Sequence, residues 1–348
     1  MRRLLTLFFF PFFLIFHTQS LNISVIYDSE LKKYGLKSSD GIQLINPEWN
    51  VLQAINTYFY YGRKDTEGNY FYRYDRLNNH LIRINYLIPD STLYHNQFVI
   101  IQSFPYGPKG VMNIYGKEIL PTFYNNIWIK DKYILSELHN KITIHTLDGQ
   151  KLFPQSFNYV DIKNGFIYVK MEDKRFENNE KFMVYNNNGD SLTKDNWTIV
   201  GQFGKDHLLL IKTLDHKLFY INESGEIQIK PNKKLNYEAP FSNGYSLVST
   251  KNTPKKYGFI DTSGEIIIPL EYDNAGPFQK NYAFVEKHKD GKLYQGLIDN
   301  HNKMIKIFSS PLISRSTYYD SNKITYYLSN HETYDADGNY IEDTNLIK

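Results

Sequence analysis

The chain has 348 residues, no Cys, 40 Lys and Arg against 37 Asp and Glu, and an unusual load of 30 Tyr and 23 Phe. Without Cys there is no disulfide framework, no thiolate chemistry, no Cys-based zinc site and no acylation site behind a leader. A formal charge of +3 lacks the basic excess of a nucleic-acid binder, and the strand-favouring aromatics point to an all-β class.

The amino terminus carries Arg2 and Arg3, the mostly apolar run Leu4 to Phe16, and then His17-Thr18-Gln19-Ser20. This order predicts a secretory signal peptide over 1–20, using the general export route. Its loss takes the charge to +1, since Arg2 and Arg3 leave with it. No later stretch nears the ~20 apolar residues a spanning helix needs. The expectation is therefore an exported chain with no transmembrane segment in its mature form, residing in the periplasm, at the cell surface or outside the cell. One domain is expected over 21–348.

Asn22 to Tyr27 (NISVIY) is strand-like, and from there turn signals recur to the end of the chain. Gly41, Asn79, Gly116, Gly149, Gly189, Gly225, Gly264, Asn302 and Gly338 follow one another at intervals of 33 to 40 residues, averaging about 37. Gly and Asn tolerate the positive φ that a bulged type I hairpin needs. Five or six residues further on, Pro47, Pro121, Pro154, Pro231 and Pro269 should end the second strand, because Pro donates nothing to a ladder. A third strand recurs as Tyr58 to Tyr60, Phe98 to Ile101, Tyr133 to Leu135, Phe166 to Val169, Leu208 to Ile211, Tyr245 to Val248 and Ala283 to Val285. Met171 to Glu180 and Lys251 to Lys256 are polar insertions between strands.

The unit is clearest from Tyr257 to Val285, YGFIDTSGEIIIPLEYDNAGPFQKNYAFV. Asp261 and Gly264 bracket a type I turn. The run Ile266 to Ile268 suits a strand covered on both faces, Asp273 to Pro277 forms a second turn, and Tyr282 to Val285 returns as a third strand. This segment, with fainter echoes at Tyr34 to Pro47, Phe241 to Val248 and Tyr294 to Asn302, resembles the WG repeat family, with Tyr257 where that family usually has Trp. The resemblance implies an exported or envelope protein of bacteria. The reading is a tandem array of about nine three-stranded antiparallel units that must stack to bury their faces. A propeller-like ring, closed by Asn22 to Tyr27 supplying the last unit's third strand, and a curved open β-solenoid both satisfy it.

Chemistry-bearing patterns are sparse. His331-Glu332 lacks the second His of a zinc helix. Asp335-Ala336-Asp337-Gly338-Asn339 begins like a calcium loop, but the required Gly and Glu are replaced by Tyr340 and Leu346, so a hairpin turn is expected. Gly107 to Gly110 has no Walker spacing, and Ser224 and Ser263 lack the Gly two residues earlier that a nucleophile elbow requires. Glu271 with Asp273, and Glu342 with Asp343, read as solvated turn carboxylates. Asn22, Asn196 and Asn222 head glycosylation triplets of little weight in an Asn-rich chain. The expectation is a non-enzymatic module with neither cofactor nor metal, binding a macromolecule, foremost a protein. A glycan module with exposed Tyr or Trp along one groove is the alternative, and an envelope hydrolase stands behind both.

Overall fold

The structure is a computed structural model that describes residues 22–65, 68–317, 324–328, 332–335 and 337–341. The expected signal peptide, His331, Ala336, Glu342, Asp343 and Leu346 lie outside the described residues. Among the described residues, apart from one short 3-10 turn at Glu177–Asn179, all regular structure is β. The strands form small antiparallel sheets of three or four strands, each paired with its neighbours in sequence.

The contacts divide the chain into two compact units, Met1–Leu152 and Phe153–Lys348. In the first unit, the first sheet holds Ile23–Asp28, Lys33–Ser38 and Gln43–Trp49, and the second holds Val51–Ala54, Phe59–Arg63, Tyr70–Asp75 and His80–Ile84. The third comprises Phe98–Gln102, Lys109–Asn113 and Glu118–Tyr124, the fourth Asn126–Lys130, Tyr133–Leu138 and Lys141–Thr146. The second unit opens with a fifth sheet of Tyr159–Lys163, Phe166–Glu172 and Glu180–Tyr185 and a sixth of Trp197–Val200, Leu208–Thr213, Leu218–Asn222 and Ile227–Ile229. The seventh has Leu235–Tyr237, Tyr245–Thr250, Tyr257–Asp261 and Ile266–Tyr272, and the eighth has Asn274–Ala275, Ala283–Lys289, Lys292–Ile298 and Met304–Ile307. Leu312–Thr317, Ile324–Leu328 and Thr333–Asp335 make the ninth.

Within each unit the core is a series of apolar layers between successive sheets, and a central strand feeds two of them at once. Successive side chains point to opposite faces, so in the seventh sheet Val248 and Ile260 pack with Leu208, Leu210 and Tyr220 of the sixth, whereas Leu247 and Phe259 pack with Phe278, Ala283 and Val285 of the eighth. Leu208 to Ile211 is buried along its whole length for the same reason.

This layering corrects the expected unit in three respects. First, the strand of Ala283 to Val285 does not close a meander with Tyr257 to Pro269; it pairs with Lys292–Ile298 in the eighth sheet, register Ala283 with Ile298. A sheet is thus the third strand of one sequence repeat followed by the first hairpin of the next, and Ile23–Asp28 accordingly pairs with Lys33–Ser38 in the first sheet. Second, the triple Ile is an outer strand: Ile268 is fully buried, but Ile266 and Ile267 are 48% and 36% exposed. Third, Pro47, Pro121 and Pro269 do not end their strands, which run on to Trp49, Tyr124 and Tyr272 after a break in register. Pro is tolerated there because the strand is at an edge and bulged.

The bulge explains a glycine that spacing alone does not. The outer strand's carbonyls swing across Gly35, Gly110 and Gly258, where a Cβ would stand 2.5 Å from Ile45 O, 2.6 Å from Leu120 O and 2.5 Å from Ile268 O. Glycine at this position is required by close approach of backbone, not by φ.

Candidate functional site

The hairpin turns are built alike. Asp261 Oδ1 accepts the Ser263 and Glu265 amides at 2.9 and 3.0 Å while Gly264 N donates to Asp261 O. Asn113, Asn186, Asn222, Asp299 and Asp335 do the same in their own turns, a local Asx arrangement that holds the next residues in place. The turn positions all have left-handed backbone: Gly41, Gly149 and Gly264 at φ 92°, Gly116 at 84°, Gly189 at 87°, Gly225 at 79°, Gly338 at 80°, Asn79 at 51° and Asn302 at 62°. Asp335 is a turn-forming acceptor for Asp337 and Asn339. Several turns also press on the preceding sheet: a Cβ at Gly149 would meet Ile119 O at 2.5 Å, and one at Gly264 would meet Ile229 Cγ2 at 3.1 Å. The turns are therefore parts of the packing between sheets.

Where the outer strand of one sheet parts from the first strands of the next, grooves open. Between the first and second sheets a groove of about 440 Å³ is lined by Trp49, Tyr72 and His80, with Lys64 and Glu48 paired at 3.0 Å on its rim. Trp49 Nε1 is buried there without a hydrogen-bond partner among the described residues. Between the fifth and sixth sheets, hollows of about 260 and 510 Å³ share Phe182, Ile199 and Val200. One end is aromatic, with Tyr159 and Tyr168. The other is ionic: Arg175 donates to Asp195 and Asp173 at 2.7 Å each, buried Lys181 donates to Asp195 O at 2.7 Å, and Lys212 pairs with Glu177 at 2.8 Å. Hydrogen bonds from Arg175, then Lys181, hold the Asp195 carboxyl well below the usual carboxylate range. Between the sixth and seventh sheets lies a groove of about 660 Å³ lined by Leu218, Ile227, Leu235 and Tyr237 together with Lys217, Lys230, Lys233 and Lys251.

Glu271 and Asp273, expected as solvated turn carboxylates, are both engaged. Glu271 binds Lys287 at 2.5 Å and Asn302 Nδ2 at 3.2 Å, while Asp273 binds Lys256 and the His288 amide, the latter at 2.6 Å. Both carboxyls are lowered, chiefly by the hydrogen bonds from Lys287 and Lys256 respectively. These are ties between the seventh and eighth sheets, not free turn carboxylates. Ser224 and Ser263 lie in hairpin turns, and Gly107 closes a turn on Phe104 O. The exposed aromatics Tyr27, Tyr106, Tyr115, Trp128, Tyr294 and Tyr340 line none of the grooves described above; Tyr159 does.

Sequence spacing gave no hint of one polar pair. Ser136 and His145 sit on neighbouring strands of the fourth sheet, Ser136 Oγ 2.8 Å from His145 Nε2, with His145 Nδ1 3.3 Å from Gly149 O. A carbonyl only accepts, so Nδ1 carries the proton and Ser136 donates to Nε2. The pair has the hydrogen-bond order of an activated serine, yet the residues are 0% and 2% exposed. Its surroundings are those of a core, with Tyr124 edge-on to the imidazole, and burial pushes the imidazole below its usual range.

Among solved structures, the chain is similar to one described as the eukaryotic initiation factor (12% identity, covering 92% of this chain and 94% of that one, TM-score 0.38). It is also similar to BamB from Moraxella catarrhalis (10%, 94% and 96%, 0.27) and to the WD40 β-propeller domain of Doa1 (9%, 85% and 94%, 0.27). No curated protein matches it. At those TM-scores the fold rests on the sheets themselves; residues 257–292 match the WG containing repeat.

Proposed function

We propose that the protein is an exported, non-enzymatic interaction module of the bacterial cell envelope that holds a protein partner in the grooves between its sheets. The observation that carries this reading is the recurrence of a groove at the parting of consecutive sheets, each with a different lining: indole and imidazole, aromatic with ion pairs, apolar with lysines. Repeat stacking turns one backbone design into an extended surface whose side chains vary from unit to unit. The amino-terminal leader expected over 1–20 supports the exported location. The count of about nine units rests on the regular spacing of the turn Gly and Asn positions.

The test is a pull-down from the native envelope fraction with the full mature chain, followed by an alanine scan of groove residues against the recovered partner. Losses should be modest at each of several sites, because stacked repeats spread the contacts over several units. If instead one acidic residue or one His abolished a measurable turnover with the melt unchanged, the hydrolase reading would replace this one. Tyr159, half exposed beside Phe182, favours glycan binding as the second reading; a neutral oligosaccharide whose binding Tyr159→Ala abolishes would establish it.

A further inference from the structure

Building on the module reading, we infer that the groove between the sixth and seventh sheets takes an extended acidic peptide segment that alternates carboxylates with apolar side chains. The first ground is charge. Lys217, Lys230, Lys233 and Lys251 line the groove, and the one acid among the lining residues is Asp215, which pairs with Lys217 at 2.7 Å on the surface. Lys251 Nζ donates to Asn232 O at 3.0 Å, and among the described residues Lys230, Lys233 and Lys251 have no ion pair. Four ammonium groups against one carboxylate leave a local excess of three positive charges among the lining residues, which an anionic occupant complements.

The second ground is the apolar part of the lining. Leu218, Leu235, Tyr237 and the half-exposed Ile227 line the same groove as the lysines. A purely hydrophilic polyanion leaves these wet; a peptide places carboxylates on one side and apolar side chains on the other at every second residue. The third ground is the neighbouring backbone. Ile227–Ile229 is the outer strand of the sixth sheet, hydrogen-bonded on one side only. Its other edge offers main-chain partners to an extended segment, the mode in which backbone supplies affinity and side-chain pockets supply selectivity.

The frame is already held in shape. Tyr237 OH donates to Lys230 O at 2.7 Å, Asn232 Oδ1 accepts the Lys234 amide at 2.8 Å, and Lys251 N donates to Lys234 O at 3.2 Å. The segment 230–234 is thus tied at both ends, and binding need not order it first.

The experiment is fluorescence anisotropy of the full mature chain with a labelled hexapeptide of alternating Glu and Leu. It runs against the Gln and Leu counterpart, the Glu and Gly counterpart, and phosphatidylglycerol vesicles. The inference expects the Glu and Leu peptide to bind tightest and to weaken from about 50 mM to about 500 mM salt, as exposed charge pairs are screened. The double reversal Lys230→Glu and Lys233→Glu should weaken it roughly tenfold, with the melt unchanged. Lys292→Glu, an exposed reversal in the eighth sheet, should leave binding alone. Equal binding by the reversed variant, by the Glu and Gly peptide or by vesicles overturns the inference. A natural partner that binds the reversed variant as tightly as the native chain also overturns it while leaving the module reading intact. If no natural partner is recovered, the module reading falls and the peptide titration still decides this one.

Discussion

The fourth and seventh sheets are the same meander with opposite solutions at corresponding positions. In the seventh, Val248 and Ile260 stand on neighbouring strands and enter an apolar layer, and Gly258 gives way to the bulged outer strand at Ile268 and Pro269. In the fourth, counting back from the turn glycine, Thr143 stands where Gly258 stands, His145 replaces Ile260, and Ser136 replaces Val248. No long outer strand crosses Thr143; past the turn, only the bridge between His145 and Lys151 continues the ladder. The lesson is that the repeat specifies a backbone and a burial pattern. Either apolar packing or a fully satisfied polar pair can fill it, because what a buried site forbids is an unpartnered donor or acceptor.

The contrast breaks most sharply at the glycine. Gly258→Val should cost about 3 kcal/mol, since its Cβ meets the Ile268 carbonyl, which is backbone and cannot rotate away. A urea midpoint equal to that of the native chain would show that the bulge is not what requires glycine. Next in size is Gly264→Val, expected to cost about 2 kcal/mol because φ is 92° and Ile229 lies close. A thermal melt that does not move would contradict it.

Ser136→Val alone should cost about 1 to 2 kcal/mol by leaving His145 Nε2 buried and unpaired. The double change Ser136→Val with His145→Ile, which copies the seventh sheet, should recover most of that loss in chemical denaturation. The pair also predicts a pH dependence. Burial depresses the imidazole in the folded state, with Lys151 adding to the shift and the Gly149 hydrogen bond opposing it. Between the folded value and the unfolded value of about 6.5, the unfolded chain therefore binds the extra proton. This contribution to stability is fully present above about pH 6.5 and is lost as pH falls. Denaturation at about pH 7.5 and about pH 5.5 should show a larger acid loss for the native chain than for the double variant; equal losses would remove His145 from the account. The smallest effect is at the outer strand: Ile266→Ser should stay within about 0.5 kcal/mol, because the side chain is half in water. A large loss there would mean that the outer strand is covered after all.

What the sequence determined is local. A Gly or Asn every 37 residues or so reads as a turn because positive φ excludes most side chains at that one residue, and a Tyr- and Phe-rich chain without Cys reads as β for reasons equally local. The all-β class and the run of small antiparallel sheets followed from that. The phase of the sheets did not, because Tyr257 to Val285 forms one continuous motif whether its last strand pairs backward or forward, and only the layer of Phe278, Ala283 and Val285 against Phe259 and Ile268 decided it. The triple Ile misled for the same reason: apolar residues mark a strand, but whether a second face is covered depends on which strand is outermost. Gly258 was visible as a motif residue, while its cause, a carbonyl 2.5 Å from where a Cβ would stand, lies ten residues away. Ser136, His145 and the lysine groove carry no spacing signature at all, because each is assembled across strands or across sheets. Proximity of that kind is fixed by packing and not by order along the chain.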